Sequence, residues 1–175
     1  MADSQLVDRI SASAHVAAPP PLLFSLLADP HNHWLLARGK IELRELDAGG
    51  SGRMSGSVVL RGPLGIRRQA RTRVLSSLAP SSLSGVAELG RRTRAEVSWM
   101  LESAESSTTV VVLSAAIVSV GALDRLLLLI GARWWMRRLF RAVLHTLSEL
   151  GARAYDADRE HAAGCPEHRQ VASAG

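Results

Sequence analysis

Hydrophobic and polar positions follow two different periods along this chain. From Leu6 to Val16, Ile10, Ala12, Ala14 and Val16 alternate with Ser11, Ser13 and His15, the period-two pattern of a half-buried strand. Pro19, Pro20 and Pro21 end it, because proline cannot donate to a ladder but is tolerated in a helix's first turn. Leu22, Leu23, Phe24, Leu26 and Leu27 then predict a short apolar helix closed by Asp29-Pro30. A second short helix is predicted over His31–Ala37, with Gly39 as its stop.

Between Lys40 and Gly121 the pattern is strands separated by turn signals. Ile41 to Glu45 alternate ahead of Gly49-Gly50-Ser51-Gly52, and Met54–Leu60 forms the next strand before Gly62-Pro63-Leu64-Gly65. Ile66, Ala70, Thr72 and Val74 alternate with Arg67, Gln69, Arg71 and Arg73. Leu83–Leu89 follows the Pro80 turn, and Thr93, Ala95, Val97, Trp99 and Leu101 share one face of the strand after Gly90-Arg91. Thr108–Val120 is apolar on both faces, as in a strand covered on each side. Such closely spaced turns predict an antiparallel meander.

The period then changes to that of a helix. One long helix is predicted over Ala122–Ala154, with Ala132, Met136, Leu139, Phe140, Val143, Leu147 and Leu150 as its apolar stripe. Arg133, Arg137, Arg141, His145 and Glu149 lie opposite. Projected at 100° per residue, Leu126, Leu127, Ile130 and Trp134 fall on the side that later becomes basic, so the first turns are apolar all round. Neighbouring loops could cover that end. If exposed beside Arg133, Arg137 and Arg138, it would suit a homodimer interface or a peripheral membrane contact. Residues 156–175 are polar and small without periodicity and are expected to be a disordered tail, leaving one domain over residues 1–155.

Composition changes this picture little. With 175 residues, 47% hydrophobic and 21% charged, the chain can bury a single core without a disulfide or metal. Cys165 is its one cysteine, in keeping with a reducing compartment. Asp3, Asp8 and Arg9 precede any apolar run, so the amino terminus does not read as a secretory signal, and the apolar run Leu126–Ala132 is far short of the ~20 residues of a membrane span. A cytoplasmic, soluble or peripheral protein is expected. The net charge of +5 favours anionic partners in general. However, Arg67, Arg71, Arg73, Arg92 and Arg94 face outward without interleaved aromatics, and Glu88 and Glu96 can pair with them, which argues against nucleic acid.

The element order and one segment carry a resemblance. Val16 through Ala17-Ala18-Pro19-Pro20-Pro21-Leu22-Leu23-Phe24-Ser25-Leu26-Leu27-Ala28-Asp29-Pro30 to Trp34, with Trp99, Glu105 and Thr108-Thr109 further on, resembles the START-like (SRPBCC) superfamily in its polyketide cyclase/dehydrase-like branch. The resemblance implies an α+β helix-grip fold: about seven antiparallel strands curved around a long C-terminal helix, with two short helices after the first strand. It also implies an apolar cavity between sheet and helix. The inward residues would be Met54, Val58, Leu60, Ala70, Thr72, Val74, Ala95, Val97 and Trp99, with Met136 and Phe140 from the helix. Small Gly56, Ala70 and Ala95 would leave volume; the alternation alone fits a packed core equally well.

Candidate chemistry is sparse. On the inward face only Thr72, Thr93 and Arg68 are polar and no Asp, Glu or His is expected there, so general acid–base catalysis lacks a titratable group. His31-Asn32-His33 and His161/Cys165/His168 fall short of the four ligands of a structural zinc site, and Gly49-Gly50-Ser51-Gly52 lacks the following helix that phosphate loops use. No catalytic residue, metal or cofactor is assigned. The expectation is a protein that binds a hydrophobic small molecule or lipid without transforming it. Two alternatives stay open: a polyketide aromatase/cyclase-type enzyme, and a membrane-associated or dimeric interaction protein without a functional cavity.

Overall fold

The computed structural model describes residues 8–29, 32, 35–37, 39–48, 54–62, 65–105 and 107–163. Strand β1 (Asp8–Val16) is followed by helix α1 (Pro20–Ala28). Six strands come next: β2 (Ile41–Ala48), β3 (Met54–Arg61), β4 (Arg67–Leu78), β5 (Ser82–Leu89), β6 (Thr93–Glu105) and β7 (Thr108–Ser119). The chain then runs through a short helix α2 (Ala122–Leu127), a kinked turn (Leu128–Ala132) and a long helix α3 (Arg133–Ala163).

All seven strands form one antiparallel sheet in the order β1-β7-β6-β5-β4-β3-β2. Strands β2 to β7 are the expected meander, and β1 closes the far edge by pairing with β7, from Asp8 opposite Ile117 to Val16 opposite Thr109. Register shifts between Leu43 and Glu45, Val74 and Ser76, and Ser103 and Glu105 mark bulges, which bend a strand and raise its twist. The sheet curves around α3.

Helix α1 begins where the prolines require. Pro19 is extended, at φ −72° and ψ 151°, and Pro20 and Pro21 occupy the first turn, where a missing N–H costs nothing. Leu23, Phe24 and Leu27 turn inward and are buried. The Thr109 hydroxyl donates to the Ala18 carbonyl at 2.6 Å in the interior, tying the start of β7 to the β1–α1 connection. Helix α3 packs Leu139, Phe140, Val143, Leu144 and Leu147 against Ile10, Val16, Leu23, Leu27, Trp99 and Leu113 in one core.

Four expectations need correction or lie outside the described residues. Strand β7 is not covered on both faces: Thr109, Val111, Leu113 and Ala115 are buried, whereas Val110, Val112, Ser114 and Ala116 are half-buried among neighbouring side chains. The long helix is not continuous from Ala122, because Gly131 takes φ 119° and breaks it; only glycine adopts such a backbone without strain. Its end lies beyond Tyr155 and Ala154, since helix continues through Ala163. Once a helix is anchored by packed turns, each further residue adds a hydrogen bond without a new nucleus, and Arg159 covers the Tyr155 ring one turn back. Of the helix expected over 31–37, only residues 32 and 35–37 are described, with Leu36 and Ala37 buried; residues 164–175 lie outside the described residues.

Candidate functional site

Alternation along the strands fixes which side chains face α3. The register stacks Leu60 beside Arg68, Leu89 beside Thr93, and Ala95 beside Ile117. Opposite them stand Leu128 and Ala132 of the kinked turn and Trp135 and Met136 of α3. Together with Ile10, Ile66 and Ala115 these residues line a half-open cavity of about 140 Å³. Ala95, Ala115 and Ala132 leave the volume that larger residues would fill. A dry apolar cavity of roughly 150 Å³ is large enough for a benzene ring, so this space admits one ring or a short alkyl chain.

One wall of the cavity is polar. The Arg68 guanidinium donates from Nη1 to Asp124 Oδ1 at 2.6 Å and from Nη2 to Oδ2 at 3.1 Å, the bidentate fork that makes such pairs strong and directional. The Thr93 hydroxyl donates to Asp124 Oδ2 and accepts from the Gly121 N–H at 2.9 Å. The pair is largely withdrawn from water, with side-chain exposures of 24% for Arg68 and 13% for Asp124. It fastens α2 to β4 and β6. Both carboxylate oxygens are occupied by donors, so the cluster is built to position groups more than to carry protons.

On the outer side of this cluster lies an open cleft of about 340 Å³, formed by the Gly90–Arg92 turn, Gly121 and Ala122. Arg68, Leu89, Thr93 and Asp124 line both spaces. The cluster is therefore a wall common to both spaces.

The expected site residues distribute unevenly over this geometry. Leu60, Ala95 and Met136 line the cavity. Val58 and Ala70 are paired and buried on the same face. Thr72 is half-buried and its hydroxyl donates to the Gly56 carbonyl at 3.4 Å, and Val97 packs against the core. Trp99 and Phe140 are buried in the core and are not among the residues that line the cavity. The Met54 side chain lies outside the described residues. The expectation that no acid reaches the inner face is corrected by Asp124, which arrives from α2 and not from a strand. The one acid in an otherwise apolar stretch with Arg125 was the available signal.

At the same end of the molecule, Leu126, Leu129 and Trp134 are 52%, 80% and 66% exposed. Arg125, Arg133, Arg137 and Arg138 are exposed around them, and the Arg138 guanidinium lies 5.6 Å above the Trp134 ring. Leu129 was not anticipated; the side chains of Leu127 and Ile130 lie outside the described residues. On the outer sheet face Glu88 stands between Arg71 and Arg94 in register. Among the described residues no three His, Cys, Asp or Glu side chains group to hold a metal ion, and His31, His33, Cys165 and His168 lie outside them. Among the described residues no helix is long and apolar enough to cross a membrane.

No protein-family model matches the sequence, and no curated protein matches it. Solved structures do match. TTHA0849 from Thermus thermophilus superposes with a TM-score of 0.69 at 19% identity, over 84% of this chain and 99% of that one. A START superfamily protein from Mycobacterium smegmatis gives a TM-score of 0.61 at 15% identity, over 81% of this chain and 98% of that one. The ZhuI aromatase/cyclase from Streptomyces sp. R1128 gives 0.53 at 19% identity, over 91% of this chain and 99% of that one. At these identities the likeness concerns architecture alone, and it agrees with the antiparallel sheet and long C-terminal helix described above: the chain has the START-like helix-grip fold, of the kind also seen in that aromatase/cyclase.

Proposed function

We propose that this protein binds a hydrophobic small molecule, or the apolar part of a lipid, in the cavity between the sheet and the kinked C-terminal helix. The observation that carries the reading is an apolar space of about 140 Å³, where close packing normally leaves few voids larger than a water molecule. Its lining is aliphatic and aromatic apart from Arg68, Thr93 and Asp124. Because those three groups are bonded to one another, binding without chemical change has more support than cyclase-type catalysis. The lone cysteine supports a cytoplasmic setting. Titration with toluene, followed through the methyl resonances of Ala95 and Met136, tests the proposal. Saturable shifts of both methyls are expected in the unmodified protein, and that of Met136 should vanish in Ala95→Phe; a Met136 shift that persists in that variant would place the toluene elsewhere.

A second reading rests on the exposed patch. Leu129 and Trp134, standing out among four arginines, fit an anionic membrane surface, where each nearby basic residue contributes about 1 kcal/mol. Weak binding to vesicles containing phosphatidylserine, reversed by high salt and lost in Leu129→Glu with Trp134→Glu, is expected. A change from dimer to monomer in that double variant would instead make the patch a subunit interface.

A further inference from the structure

The sheet ends in two edge strands, β1 and β2, and they are built differently. A free edge presents a row of unpaired backbone N–H and C=O groups, which proteins ordinarily blunt with charge, proline or a bulge. Strand β2 has such protection. Glu42, Arg44 and Glu45 stand along it, Glu42 pairs with Arg44 at 3.5 Å and with Arg61 at 3.3 Å, and the register shifts between Leu43 and Glu45. Strand β1 has none of it from Ile10 to Val16. It pairs with β7 along its whole length without a shift, no proline interrupts it, and after Arg9 only His15 can carry charge. Among the described residues, its one backbone hydrogen bond outside the β7 ladder runs from the Ala18 N–H to the Val16 carbonyl, at 2.9 Å. Ser11, Ser13 and His15 are exposed on the outer face, and Ala12 and Ala14 are half-buried on the inner one. From Ser11 to Ala14 no side chain is large enough to fence the edge off.

We propose that the β1 edge takes the β1 strand of a second copy of this chain, antiparallel about a two-fold axis at Ala12, so that two sheets join into one. Strand addition at an open edge draws its affinity from main-chain hydrogen bonds, and a two-fold contact requires a surface that complements itself. With the axis at Ala12, Ile10 stands opposite the partner's Ala14, Ala12 opposite the partner's Ala12, and Ser11 opposite the partner's Ser13. This register keeps the apolar face of one sheet continuous with that of the other, whereas a slip by one residue would set apolar positions against polar ones. The small Ser-Ala-Ser centre lets the two backbones approach without burying a charge. Its near-palindrome about Ala12 favours a second copy over an unrelated strand. Arg9 stands opposite the partner's His15, and at about pH 8, where an ordinary imidazole is neutral, no like charges face each other across the axis.

Sedimentation of the full chain at about pH 8 and low salt should therefore show a reversible monomer–dimer equilibrium. Ser11→Lys with Ser13→Lys sets lysines opposite one another at two symmetry-related places and should weaken the dimer about tenfold, leaving the circular dichroism spectrum unchanged. Ser11→Glu with Ser13→Glu should do the same. Mixing the two double variants should restore a dimer with one chain of each kind, because lysine then faces glutamate. In the unmodified protein, raising the concentration should slow hydrogen exchange at those β1 amides that point away from β7, a readout that needs no variant to fold. A chain that stays monomeric up to its solubility limit would overturn the proposal. So would exchange at those amides that ignores concentration, or a dimer that neither serine double variant weakens. A dimer lost only in Leu129→Glu with Trp134→Glu would move the interface to the exposed helix patch and overturn it equally.

Discussion

The two ends of the long helix make opposite use of the same apolar stripe. At one end Leu144 and Leu147 are fully buried against Val16 and Leu23. There Gly151 comes so close that an added Cβ would lie 2.6 Å from Leu23 Cδ2 and 3.1 Å from Val16 Cγ1. At the other end the helix breaks at Gly131, alanines line both walls, and about 140 Å³ stays unfilled. The tightest packing is thus where the helix meets β1 and α1, and the unfilled space lies at its opposite end.

Substitutions that discriminate the ends sharpen this contrast. Leu147→Ala should cost about 3–4 kcal/mol in urea unfolding, because a fully buried side chain is removed from a site with little freedom to collapse. Met136→Ala, beside the existing space, should cost visibly less; equal losses would erase the contrast. Asp124→Ala should cost about 1–3 kcal/mol by stranding the partly buried Arg68 guanidinium. Adding Arg68→Met to it should recover much of that loss, as replacing both members of a buried pair often does.

Changes that add volume should reverse sign between the ends. Ala95→Leu grows into empty space and should stabilise by about 1 kcal/mol, as cavity filling commonly does. Gly151→Ala gains helix propensity but must displace Leu23 and Val16, so a net loss of about 1 kcal/mol is expected. Stabilisation by both would show that neither end is tightly packed. The smallest effect belongs to the exposed edge pair of the sheet. The hydrogen bond from Arg61 and the nearby Arg44 hold the Glu42 carboxyl below the ordinary carboxylate range. What Glu42 contributes is present above the unfolded-state pKa and is lost as pH falls through the lowered folded one. Glu42→Gln should leave the melting temperature unchanged within error at neutral pH, and any residual difference should vanish in acid.

How far the sequence could be read follows the same division. Each strand showed through because alternation and Gly or Pro turn signals are local, and the observed bounds of β3 to β7 follow those signals closely. The break at Gly131 was hidden because a glycine inside an apolar helical run is ordinarily tolerated; only the backbone angle distinguishes a kink. Leu60, Ala95 and Met136 could be placed by period alone. Trp99 and Phe140 share their faces with those residues yet sit in solid core, since period gives a direction and not a distance along the groove. The Arg68–Asp124 pair joins residues far apart in sequence, and no local pattern announces such a meeting.

The pairing of the first strand with the last has a consequence for synthesis. Every ladder bond of β1 outside itself is made to β7, with Asp8 opposite Ile117 and Val16 opposite Thr109. A chain emerging amino-terminus first at about 5–20 residues per second therefore holds β1 without its partner for many seconds. The long loop that must close before this contact rewards it also slows the search for the native topology. During that interval Ile10, Ala12, Ala14 and Val16 present an unpaired apolar face, while β2 to β7 can assemble by successive short hairpins. The sheet is thus left open at β7 until its own first strand returns, and the nascent chain is exposed to strand-edge pairing with other chains for as long as that return takes.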